Sequence, residues 1–438
     1  MQHPLKKIVE QQKKGIPAGI YSVCSANEYV IEAAMERAMQ KGVEVLIEST
    51  ANQVDQYGGY TGMKPADFRE FVHAIAKKAG FPIENIILGG DHLGPMTWKK
   101  EKAEAAMEKA EELVRQYVLA GFTKIHIDTS MHLGDDNPDE KLDTRVIAER
   151  GARLAAVAEQ AYKELKKINP DALHPVYVVG SEVPIPGGSQ EEDEGLSVTK
   201  PEDFEDTVKC FKDSFMKYNL EEAWENVVAV VVQPGVEFGD ETIHEYNREA
   251  ASGLCRTLKK YPNLVFEGHS TDYQTPSAMK KMVEDGIAIL KVGPGLTFAL
   301  REALFALNII EDELLKGLEN LEPSRFMDVL EKVMLEHPEN WIKHYHGDDR
   351  KKRLARRYSY SDRIRYYLPQ AEVKHSIEKM ISNLKSVKIP LSMISQYLPI
   401  QYNKIRNGLL NNDPESLIKD RIINTIDDYY YAVIPQDR

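Results

Sequence analysis

Between Gly15 and about Thr297 the chain repeats one pattern eight times: a short β-branched apolar run, then a longer amphipathic stretch. That alternation is the mark of βα units and a parallel sheet. The runs are GIYSVCS ending near Cys24, VEVLIEST near Glu48, NIILGGDH near His92, KIHIDTS near Asp128, VYVVGSE at Glu182, VVAVVVQPG at Gln233, LVFEGHSTD at His269 and AILKVGPG at Lys291. Eight such units predict a closed (β/α)8 TIM barrel. A doubly wound open sheet is the rival, and the missing Gly-rich fingerprint after the first run counts against it.

The stretches between the runs carry helix punctuation. In KPADFREFVHAIAKKAG, Pro65 suits a first helical turn, Gly80 suits a left-handed stop, and Phe68, Phe71, Val72 and Ile75 share one face. In EKAEAAMEKAEELVRQYVLAG, Ala103, Met107, Ala110, Val114 and Tyr117 form one apolar stripe. From about residue 298 the strand pattern stops and helical spacing continues to the end. The expected division is therefore a barrel over 1–300 and a helical extension over 301–438, placed to cap the barrel mouth.

A formal charge of -13 argues against nucleic acid or anionic lipid as a partner. The one basic stretch, RKKRLARRYSYSDRIRYY, reads as a solvated helix face, with a looser phosphate- or subunit-facing option for Ser361, Asp362 and Arg363. Cys24, Cys210 and Cys255 are odd in number and far apart, which suits a reducing compartment. The opening residues lack a secretion signal's apolar run, and no run approaches membrane-spanning length, so the expected location is cytoplasmic.

In such barrels the carboxyl ends of the strands build the active site. The ends here supply Glu48, Asp91, His92, Asp128, Ser130, Glu182, Gln233, His269, Asp272 and Lys291. Neighbouring residues of a strand face opposite ways, so Asp91 and His92 of GGDHLGP reach one centre only if the chain turns between them. His92, Glu182, Gln233 and His269 offer N and O ligands suited to zinc, manganese or cobalt, and Glu182 could instead act as a catalytic or hydroxyl-binding carboxylate. Each of the four could also be a hydrogen-bonded core residue, and Gln233 is the weakest ligand. Asp91 is the candidate acid/base, with Glu48, Asp128, Ser130, Asp272 and Lys291 as substrate contacts. A Schiff base on Lys291 is the less favoured option. Gly293 and Gly295 open a helix after the eighth run, where phosphate often docks on backbone N–H, although a plain turn reads equally well. His126 is expected to be a satisfied interior histidine, and His344 and His346 lie outside the barrel.

Taken together, SVCSAN, IESTANQVDQYGGYTGMKPADFREFV, ILGGDHLGP, KIHIDTSM, GSEVPIPGG, VVQPGVEF, GHSTDYQT, LKVGPGLTFALREA, RYSYSDRIRYY and PLSMISQYLP resemble the tagatose-bisphosphate aldolase subunit family that includes GatZ and KbaZ. The resemblance covers nearly the full length and implies the same barrel. It implies either an accessory subunit supporting a separate class II aldolase chain, or a ketose 4-epimerase acting on fructose and tagatose or their phosphates. Members have also been described as tagatose 6-phosphate kinases, but no G-x-x-x-x-G-K-[ST] loop is present to cradle nucleotide phosphates. Asp91 and His92 resemble the acid/base and zinc-binding pair of class II aldolases. His269 resembles their later histidine ligand, whereas Gln233 stands where another histidine is expected, which counts against zinc-aldolase activity. Substrate phosphorylation, metal identity and oligomeric state stay open at this point, a homo-oligomer among the options.

Overall fold

Parallel strands buried on both faces read as continuous apolar runs, and VVAVVV at Val227–Val232 is the extreme case here. In the computed structural model, which describes residues 2–184 and 196–435, that run is one stave of a closed eight-stranded parallel barrel. The staves are β1 (Ile20–Cys24), β2 (Val45–Thr50), β3 (Ile86–Leu93), β4 (Lys124–Ile127), β5 (Val176–Val179), β6 (Val227–Val232), β7 (Val265–Gly268) and β8 (Ile287–Val292). They follow chain order around the barrel, and β8 closes on β1 through Ile20 opposite Ile289 and Val23 opposite Val292. The expected (β/α)8 barrel is thus the observed fold.

Helices Pro65–Ala79 and Ala103–Leu119 turn Phe68, Val72 and Ile75, and Met107, Ala110, Val114 and Tyr117, into the layer between strands and helices. Gly80 takes φ +70° at the first helix's end. At the amino end of the barrel, Leu5 and Val9 of helix Pro4–Lys13 plug an interior of Ile20, Leu46, Ile87, Val176, Val228 and Ile289. Above that apolar floor the interior becomes ionic, which sets up the site.

The expected boundary at 300 falls inside helix Pro294–Leu315. The last helix, Pro414–Val433, returns to the barrel and packs on helices Glu28–Lys41, Pro276–Glu284 and Pro294–Leu315. Its Val433 carbonyl accepts from the Gly19 amide at 2.9 Å, and Tyr429 Oη donates to the Thr271 carbonyl at 3.0 Å. It therefore completes the outer helical ring between the first and seventh units. Among the described residues, no helix is long and apolar enough to cross a membrane.

Candidate metal and ketose site

The chain does turn between Asp91 and His92. The pairing of β3 with β4 shifts register between Gly90 and Leu93, and His92 has φ +49°. Such a bulge re-aims side chains, at a backbone cost of roughly 1–3 kcal/mol. Both side chains consequently face the barrel mouth, and both line one cavity of about 700 Å³ there, its open part included.

Below them lies a buried ionic layer. Lys124 Nζ stands 2.8 Å from Glu48 Oε1 and 2.8 Å from Glu267 Oε2. Lys291 Nζ pairs with Asp91 and lies 3.2 Å from Glu48 Oε2, while Ser22 Oγ donates to Glu48 Oε1 at 2.6 Å. Gly89 admits this layer: a Cβ there would stand 2.6 Å from Glu48 Cγ. Burial raises the carboxyl pKa of Glu267, but Lys124 and Lys291 outweigh it and hold the group well below the usual range. The same balance applies to Asp91, where His92, Lys291 and His126 outweigh burial. Burial opposes the Lys291 charge, yet Asp91 and its other anionic neighbours raise its pKa well above the lysine norm. Such an ammonium is a poor Schiff-base nucleophile.

On this layer sit three imidazoles, each with one ring nitrogen on a carboxylate. His92 Nδ1 is 2.8 Å from Asp128 Oδ2, His126 Nδ1 is 2.9 Å from Asp91 Oδ1, and His269 Nε2 is 2.9 Å from Glu267 Oε1. Ring centroids are 5.1, 4.9 and 5.2 Å apart for His92–His126, His92–His269 and His126–His269. At His92 and His269 a proton donated to the carboxylate leaves the second nitrogen as a lone pair, the arrangement that orients metal-binding histidines, whereas His126 Nδ1 also accepts from the His92 amide at 3.1 Å. One ligand atom from each of Asp91, His92, His126 and His269 lies within 4.8 Å of the others. Buried His126 Nε2 has no hydrogen-bond partner. Burial lowers the pKa of His126 and takes that of His269 to about 3, so both are neutral near pH 7. Burial is outweighed at Asp128 by the His92 hydrogen bond and charge, and its carboxyl falls to about 2. Three clustered imidazoles, those of His126 and His269 neutral, beside an ionised carboxylate and with one orphaned ring nitrogen fit a divalent cation. A second grouping, Cys24 with Glu48 and Asp91, fits less well, because burial pushes the Cys24 thiol up and the lysines occupy both carboxylates.

Other expected residues are placed differently. Glu182 does not join the cluster: its Oε2 accepts from Thr199 Oγ1 at 2.8 Å and its Oε1 is 3.7 Å from Lys141 Nζ. Glu182 lies three residues beyond the end of β5, outside the strand geometry that would aim it inward. Gln233 does not join either, since its Oε1 accepts from the amides of Gly235 and Val236 at 2.8 and 3.0 Å and builds the loop after β6. Glu48 lies in the ionic layer rather than lining the cavity. Asp128 stands behind His92, with Ser130 donating to it from its amide at 3.1 Å and its hydroxyl at 2.7 Å. Asp272, Lys291 and Gly293 do line the cavity. The Gly293 and Gly295 amides point at Asp272 Oδ1, at 3.0 and 2.7 Å.

His126 is the main residue the sequence reading assigned elsewhere. Its signal was the alternation Lys124–His126–Asp128 along one strand face, which continues the polar layer upward. Glu267, two residues before His269, carried the same signal. Tyr60, Arg365 and Tyr366 also line the mouth, the last two from the extension. Arg363 points elsewhere, donating to the Asn340 carbonyl, and Asp362 accepts from Thr297 Oγ1 at 2.6 Å.

The fold and this constellation define a (β/α)8-barrel protein with a buried histidine–carboxylate centre at its mouth. The chain belongs to the family described as D-tagatose-1,6-bisphosphate aldolase subunit GatZ/KbaZ-like, which matches residues 5–434. It is similar to the crystal structure of a probable tagatose 6 phosphate kinase from Sinorhizobium meliloti 1021, with 46% identity over 94% of this chain and 100% of that one and a TM-score of 0.86. It is distantly similar to the YdjI aldolase from Escherichia coli K12, at 13% identity and TM-score 0.41 over 86% of this chain and 97% of that one. The fructose-bisphosphate aldolase of Campylobacter jejuni gives 16% identity and TM-score 0.43 over 87% and 92%. Neither distant likeness bears on chemistry.

Proposed function

We propose that the chain is a metal-dependent ketose 4-epimerase interconverting fructose-type and tagatose-type sugars. The observation that carries this reading is the set of three buried imidazoles on the floor of an open cavity, with His92 on Asp128, His269 on Glu267 and His126 on the ionised Asp91. A zinc, manganese or cobalt ion held by His92, His126 and His269 would supply Lewis-acid stabilisation to the C2 and C3 oxygens of a ketose, leaving Asp91 as the acid/base.

The C4 hydrogen of a 2-ketose is not adjacent to the carbonyl, so removing it directly yields no resonance-stabilised carbanion. Cleaving C3–C4 avoids this. Asp91 accepts the C4 hydroxyl proton, C4 becomes an aldehyde carbon, and the C3–C4 electron pair passes into an enediolate over C2 and C3. The aldehyde turns over, the pair re-forms the bond on its other face, and Asp91 returns the proton to the C4 oxygen. Lys291 holds Asp91 ionised and faces the cavity, where it can meet a substrate oxygen. Tyr60, Arg365 and Tyr366 border the mouth and would hold the aldehyde in place until recombination. With three free cysteines, a reducing cytoplasm is the compartment we propose.

The word subunit in the family description favours a second reading, a stabilising partner of a class II aldolase. Incubating the purified chain alone with manganese or zinc and fructose, tagatose or their phosphates separates the two. Formation of the C4 epimer supports the enzyme. Inertness alone, with activation of an added aldolase chain, supports the partner.

A further inference from the structure

We propose that Asp272 keeps phosphate out of the corner between β7 and β8, so that the site takes a ketose with a free hydroxyl at that end and rejects ketose bisphosphates. The inference rests on the ketose reading above and adds which ketoses fit. In barrels of this kind, exposed amides at a helix start after the seventh and eighth strands are a common phosphate dock. Helix Pro294–Leu315 starts in that position. Its Gly293 and Gly295 amides are already used, both donating to Asp272 Oδ1. A Cβ at Gly295 would lie 3.2 Å from that oxygen, so the carboxylate rests directly on the backbone.

Asp272 is only 2% exposed, yet it borders the same cavity as His92, His269 and Lys291. A phosphate entering this corner would have to displace a tethered carboxylate from its donors and bear its charge at short range. A sugar hydroxyl meets no such opposition, because it can donate to a carboxylate. Of the cations that line the cavity, Lys291 already pairs with Asp91 and Glu48.

Calorimetric binding to the full-length, manganese-loaded chain tests this with fructose, its 1-phosphate, its 6-phosphate and its 1,6-bisphosphate. Wild type is expected to bind the bisphosphate at least about 10-fold more weakly than the best of the other three, the scale of one unopposed charge contact. Asp272→Gly, which bares both amides, should shift that ratio toward the bisphosphate by about 10-fold or more. Asp272→Asn keeps an oxygen on the amides and removes the charge, so it should fold as wild type and shift the ratio by a smaller amount. Bisphosphate bound by wild type as tightly as fructose, or a ratio unchanged in both variants, overturns the proposal. Selective binding without epimerisation would leave this inference standing and remove the reaction. Epimerisation of a bisphosphate would do the reverse, and binding of none of the four would remove both.

Discussion

Lys124 Nζ lies 2.8 Å from both carboxylate oxygens of Glu48, at the centre of the barrel and out of reach of solvent. The same ammonium pairs with Glu267, which in turn orients His269. One buried cation therefore supports both the barrel interior and the candidate metal site.

Replacing Lys124 by Met would strand Glu48 and Glu267 with Lys291 as their remaining cation. Breaking a buried pair from one side costs about 3–5 kcal/mol. Urea unfolding of Lys124→Met should show a loss of that size, and the purified variant should also retain less metal. Wild-type stability would mean that the layer is not held by this lysine.

His126→Ala is expected to reduce manganese or zinc retention as severely as His92→Ala or His269→Ala, read by elemental analysis after gel filtration. The orphaned Nε2 is the reason. Full metal content in His126→Ala would leave the ion with other ligands.

Asp128→Asn should keep the fold but weaken metal binding by about 10- to 100-fold, the usual effect of losing a carboxylate that orients a ligating histidine. Metal titration followed by thermal melting of the apo form separates the two effects. An apo melting point that falls as far as the affinity would assign Asp128 to packing instead.

Sodium borohydride added with fructose should neither inactivate the chain nor add mass to it. Asp91 and the other acidic neighbours raise the Lys291 pKa, which makes the ammonium a poor nucleophile toward a carbonyl. A sugar adduct on Lys291 in a peptide digest would contradict the metal-centred reading.

At the opposite end of the barrel, burial lowers the pKa of His3 to about 3, helped by the charges of Lys6 and His174. Because the folded value lies below the unfolded one near 6.5, stability from neutral His3 is complete above pH 6.5 and drains away as pH falls toward 3. The total is on the order of a few kcal/mol. His3→Asn, which keeps an acceptor for the Leu5 amide, should flatten the urea midpoint between pH 6.5 and 5 relative to wild type.

Much of the site was legible along the strands. Asp91, His92 and His269 were readable because a polar residue closing a β-branched run must lie at a strand end, and the GG before Asp91 allowed close approach. Glu182 and Gln233 satisfied the same rule yet turned elsewhere: Glu182 lies three residues past its strand, where the loop aims the side chain, and Gln233, one residue past its strand, is held by the Gly235 and Val236 amides. His126 is not distinguishable along the strand, because an interior histidine reads the same whether its second nitrogen is satisfied or bare.

Alternation of apolar runs and amphipathic stretches was enough to determine eight βα units, because hydrophobic burial depends on periodicity that any short window displays, while closure is the pairing of β8 with β1. Which charges meet inside the barrel was decided only by the tertiary structure. Glu48, Lys124, Glu267 and Lys291 come from four separate staves, and the interaction of buried ions depends on distances of a few ångströms that strand register and the bulge at Asp91–His92 set. The same holds for Asp272 on the Gly293 and Gly295 amides, a contact that exists only once β7 and β8 lie side by side.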